Sequence, residues 1–97
     1  MDKQELITLA RECAGILKEK YKVKRVFLIG SLVRGHFHDR SDIDLVVEGL
    51  QPEVYIKALT DLYDHLPAGV ELNLIPFEDA FESLKKRAVT EGELLYG

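Results

Sequence analysis

Residues 29–47, IGSLVRGHFHDRSDIDLVV, constrain this chain more than any other stretch. An apolar run, KRVFLI at 24–29, stops at Gly30. It is β-branched and aromatic and too short for a helix, so it reads as a buried strand. Eleven largely polar residues, 31–41, lead to a second apolar run, DIDLVVE at 42–48, which closes at Gly49. A parallel crossover needs a dozen residues or more, so these two strands are expected to be antiparallel.

The second strand carries two carboxylates. Residues two apart on a strand project from the same face. Asp42 and Asp44 should therefore point together, with Ile43 and Leu45 on the other side. Parallel carboxylates repel, and burying them bare is costly. Short Asp side chains on a rigid strand suit a hard divalent cation such as Mg²⁺, which takes oxygen ligands and leaves room for phosphate oxygens. The bland alternative is the solvent face of an edge strand, where the pattern needs no ligand. Gly30 lets another group approach the backbone closely. A helical turn over SLVR would aim free N–H groups at an anion, and the Ser31 hydroxyl adds a donor. Arg34 fits either a phosphate or an acidic side chain. Ser41 fits either a backbone cap or a phosphate contact. Singly these are turn signals. Together they equip adjacent strand ends for phosphoryl-group chemistry, where catalysis is mostly positioning and charge neutralisation.

The rest of the chain supplies a frame. Leu6, Leu9, Ala10, Cys13, Ile16 and Leu17 recur at helical spacing over 3–20, and Asp2 stands where a cap belongs. Pro52 opens a second helix with a stripe of Tyr55, Ala58, Leu59, Leu62 and Leu66. VELNLI at 70–75 alternates like a strand that Pro76 ends. A last helix from Glu78 to Thr90 is expected to bury Phe81, Leu84 and Ala88, and the tail EGELLYG to lie back on the core. The order α-β-β-α-β-α implies an α+β fold, a small mixed sheet of three or four strands with helices packed on it.

Composition narrows the partners. The 97 residues carry 13 Lys and Arg against 17 Asp and Glu, a formal charge of -4. Such a chain lacks the broad positive field that grips nucleic acid, so no direct nucleic-acid partner is expected. A small polyanion arriving with its own cations remains compatible. The lone cysteine, Cys13, cannot form an internal disulfide and sits among apolar residues; it reads as core, in a reducing, cytoplasmic setting. No membrane-length apolar run is present, so no membrane partner is expected. Residues 1–97 are expected to form one domain.

The stretch GSLVRGHFHDRSDIDL resembles the signature of the minimal nucleotidyltransferases within the DNA polymerase β-like superfamily. The matching residues are Gly30, Ser31, Arg34, Gly35, Ser41, Asp42 and Asp44, and the predicted element order fits along most of the chain. The resemblance implies the nucleotidyltransferase fold and ATP as substrate. It implies two Mg²⁺ ions shared between the carboxylates and the triphosphate. Asp42 and Asp44 would hold metal, and Gly30 and Ser31 the β- and γ-phosphates. Glu71 in VELNLI stands where relatives carry a third carboxylate, as ligand or as general base. The spacer departs from the pattern, with His38 where relatives often carry Arg and His36 two before it.

The resemblance also implies a role. Minimal nucleotidyltransferases of this size are often paired with a helical HEPN ribonuclease toxin, act as its antitoxin and can transfer AMP to a tyrosine hydroxyl on it (AMPylation). A chain with no second domain needs a partner to complete its cleft, so a complex with that partner is expected. Two alternatives stand beside this: a degenerate module that neutralises its partner by occlusion, and transfer to a small hydroxylated molecule.

Overall fold

The computed structural model describes residues 2–30 and 42–97. Helix α1 spans Lys3–Tyr21, strand β1 Arg25–Ile29 and strand β2 Asp42–Glu48. A 3-10 turn at Pro52–Val54 leads into helix α2, Tyr55–His65. Strand β3 is Glu71–Pro76; a second 3-10 turn, Phe77–Asp79, precedes helix α3, Glu82–Glu91, and strand β4, Glu93–Tyr96.

The start of α1 is fixed chemically. Asp2 accepts from the Glu5 backbone N–H at 2.8 Å while the Glu5 carboxylate reaches back to the Asp2 N–H, a reciprocal capping box. The helix ends at Lys22, which adopts a left-handed conformation with φ 56°.

The sheet runs β3-β2-β1-β4. β1 and β2 are antiparallel, as their short link requires, with Arg25 opposite Glu48 and Ile29 opposite Asp44. β2 and β3 are parallel, joined through α2, with Asp42 opposite Glu71 and Asp44 opposite Asn73. Alternation then sorts the sheet into two faces. Val26, Leu28, Ile43, Leu45, Val47, Leu72 and Leu74 pack against Leu6, Ala10, Cys13 and Leu17 of α1 and Ala58 and Leu62 of α2. Ile43 and Leu45 are fully buried, and each such side chain contributes about 2 kcal/mol. The second face is smaller: Phe27, Ile29 and Val46 meet Ala88 of α3, with Ile75, Phe77 and Leu84 at the margin. Cys13 lies in the main core, where burial, helped by the nearby Glu12, pushes its thiol up to about 12. It stays protonated and is no nucleophile.

Two expectations hold with added detail and one is corrected. The C-terminal tail lies on the core as a fourth strand, pairing antiparallel with β1. Gly92 makes that return possible, because a Cβ there would meet the Ala88 carbonyl at 2.5 Å and Ile29 at 3.1 Å. Pro76 closes β3 from inside, opposite Val47; it sits at the end of an edge strand, where a missing N–H is tolerated. The last helix begins at Glu82, and Phe81, expected in the core, is 85% exposed. The 3-10 turn and the extended Ala80 and Phe81 delay the start of the helix, so the stripe keeps Ala88 buried and Leu84 half-buried and loses Phe81.

Candidate active site

The second face of the sheet is only partly covered. At the N-terminal end of β2 it carries Asp42 and Asp44, both half-buried, and beside them Glu71 and Asn73 of β3, both exposed. The parallel register puts all four on one face. The predicted convergence of Asp42, Asp44 and Glu71 on one face is therefore present.

Gly30 adjoins them. It follows β1 with φ 86°, a conformation that favours glycine. A Cβ built there would collide with Asp44 Oδ2. The carboxylate thus leans over the glycine corner, in space that any other residue would fill. The other oxygen, Oδ1, accepts from Asn73 Nδ2 at 2.7 Å. Asn73 had no role in the sequence reading; the parallel register, which brings it opposite Asp44, was the missing signal.

Asp42 and Glu71 stand directly opposite one another, like charges on neighbouring strands. Among the described residues, every Lys, Arg or His ion pair goes to an acid other than Asp42, Asp44 and Glu71. Among the described residues no three His, Cys, Asp or Glu side chains close into a metal cage. The donor set is nonetheless all carboxylate oxygen, open on one side. That chemistry fits a hard divalent cation that also takes oxygens from a bound polyphosphate. Ser31, Arg34 and Ser41, and with them Gly35, His36 and His38, lie outside the described residues.

A cleft of about 530 Å³ lies elsewhere. Gly49, Leu50, Pro52, Tyr55, Pro76 and Glu78 line it, at the C-terminal ends of β2 and β3. It contains none of the predicted site residues.

The family model for polymerase β-type nucleotidyltransferases matches residues 11–97. The chain belongs to that family. This nucleotidyltransferase is 48% identical to "Putative protein adenylyltransferase MJ1379" of Methanocaldococcus jannaschii over 96 residues, 95% of this chain and 94% of that one. Among solved structures it resembles a toxin–antitoxin crystallised with AMP-PNP, at TM-score 0.66 and 25% identity, covering 100% of this chain and 74% of the other. A second likeness is to a complex of a tri-AMPylated Shewanella oneidensis HEPN toxin with its MNT antitoxin. There the TM-score is 0.57 and the identity 22%, over 98% of this chain and 69% of that one, a likeness of fold. The resemblance drawn from GSLVRG and DID is thereby established, as is the mixed helix-and-sheet fold. No helix among the described residues is long and apolar enough to cross a membrane.

Proposed function

We propose that this nucleotidyltransferase moves AMP from ATP, with Mg²⁺, to a tyrosine hydroxyl of a HEPN toxin partner and acts as its antitoxin in the cytoplasm. One observation carries the chemistry: Asp42 and Asp44 share a sheet face, with Asp44 leaning over Gly30. The adenylyltransferase name of its relative and the two toxin–antitoxin structures support the acceptor class.

The acceptor oxygen forms a bond to the α-phosphorus. The bond from that phosphorus to the oxygen bridging to the β-phosphate breaks, and pyrophosphate leaves. The hydroxyl proton goes to a base. Glu71, exposed on the same face as the two Asp residues, would take it or serve as a third ligand. Mg²⁺ when bound supplies neutralisation of charge on the attacking and leaving oxygens. Asp42, Asp44 and Glu71 are the residues that would hold it. Gly30 leaves room for the Asp44 carboxylate over the corner, and its backbone, with Ser31, Arg34 and Ser41, would contact the polyphosphate. In this reading residues 1–97 work as one nucleotidyltransferase domain.

The test is intact-mass measurement of the co-expressed partner after incubation with ATP and Mg²⁺. One AMP mass per modified tyrosine is expected, and the Asp42→Asn, Asp44→Asn double variant should add none. Label transfer surviving the double change would remove the mechanism. Neutralisation of the partner that persists without any added mass would instead establish occlusion.

A further inference from the structure

The geometry points to Asn73 as a positioning residue that decides which oxygen of Asp44 is free for a divalent cation, and so which cation the site prefers. The inference rests on the reading of Asp42 and Asp44 as cation ligands. Asn73 stands opposite Asp44 in the parallel register, and its Nδ2 donates to Oδ1 at 2.7 Å. An ionised carboxylate only accepts, so the amide presents its NH₂ group here. Oδ2 lies over Gly30, where a Cβ would otherwise sit. One oxygen is held and the other faces the corner.

The residue type matters. Lys or Arg at 73 would hold the carboxylate and also cancel its charge; Asp would repel it. Asn fixes the orientation and leaves the full negative charge available. A carboxylate held with one oxygen on the amide and the other toward the corner presents a single oxygen there. That suits Mg²⁺, which demands a tight octahedral shell, better than Ca²⁺, which takes more ligands and accepts both oxygens of one carboxylate. Freed of Asn73, Asp44 would be able to turn and offer both oxygens.

The experiment is calorimetric titration of the full chain with Mg²⁺ and, separately, with Ca²⁺, each in the presence of saturating AMP-PNP. Wild type is compared with Asn73→Ala and Asn73→Leu. Asn73 is exposed on an edge strand, and melting curves check that both variants fold. Loss of an outer partner of a metal ligand typically weakens metal binding about tenfold or more, and that loss is expected for Mg²⁺. Ca²⁺ affinity is expected to hold or rise, so the Mg²⁺ preference narrows by about the same factor. An unchanged Mg²⁺-to-Ca²⁺ ratio in both variants overturns the inference, as does an equal fall for both ions, which marks a merely structural role. Failure of the underlying reading looks different: wild type itself would bind neither ion with the nucleotide, and the role of Asn73 would fall with it.

Discussion

The two ends of β2 treat their acids differently. Asp42, Asp44 and Glu48 all lie on one face of the same strand. Glu48 is answered by a cation: its Oε1 accepts from Arg25 Nε at 2.6 Å, directly across the antiparallel pair. Arg25 is itself packed over the rings of Phe27 at 5.0 Å and Phe77 at 5.5 Å. That hydrogen bond holds the Glu48 carboxyl below its ordinary range and raises the guanidinium further above its own. Asp44, four pairs along, gets a neutral amide and a glycine instead. A charge that only has to be tolerated is matched with an opposite one. On the proposed function, a charge that has to be used is oriented and left standing.

The contrast breaks most visibly on activity. Asp42→Asn with Asp44→Asn is expected to cut AMP transfer by about a thousandfold or more, the scale on which charge stabilisation is felt in phosphoryl transfer. Glu48→Gln, on the same face, is expected to leave transfer unchanged. Steady-state pyrophosphate release reads both. Equal losses at the two ends would erase the distinction.

Two glycines sharpen it next. Gly30 and Gly69 both have positive φ, 86° and 90°. A Cβ at Gly69 would meet nothing within 4 Å, whereas one at Gly30 would strike Asp44. Gly69→Ala should therefore cost about 1 kcal/mol of stability, from backbone strain alone. Gly30→Ala should cost about 2–3 kcal/mol and also impair transfer, because Asp44 must move. Urea denaturation of the two variants, beside their activities, separates strain from displacement. An active Gly30→Ala enzyme would mean that the leaning carboxylate does not matter.

Much of this was legible before any coordinates. Strand parity alone put Asp42 with Asp44, because the side-chain period is two whatever the fold. The short link forced β1 and β2 antiparallel. What parity lacks is register. Nothing in the residues says that Asn73 stands opposite Asp44, or that Arg25 meets Glu48; those are facts of pairing across the sheet. The C-terminal error has another cause. The stripe of Leu84 and Ala88 is genuine, yet Phe77–Asp79 takes a tighter turn and the helix starts only at Glu82, so Phe81 precedes it and was wrongly placed inside. Short apolar tails such as ELLY carry too little pattern to distinguish a strand from a draped segment.

The Arg25 end has its own, smaller signature. Arg25→Met keeps the stem over the rings and removes the cation. The pair is partly exposed, so the loss should be about 1 kcal/mol or less, and smaller in high salt. Its pH dependence follows from Glu48. A folded carboxyl held below its ordinary 4.5 contributes stability above that value and loses it as pH falls through the lower, folded one. The gap between wild type and Arg25→Met should thus be full at neutral pH and close below 4.5. Asp61 titrates in a neighbouring window, held below 3.8 first by the Tyr21 hydroxyl and then by Lys20, so the same titration in a Tyr21→Phe background removes most of its share. Denaturation midpoints between pH 7 and 3 in both backgrounds isolate the Glu48 contribution. A gap indifferent to pH would show that Arg25 stabilises by packing on Phe27 and Phe77 and not by charge, and the two ends of β2 would then differ in geometry alone.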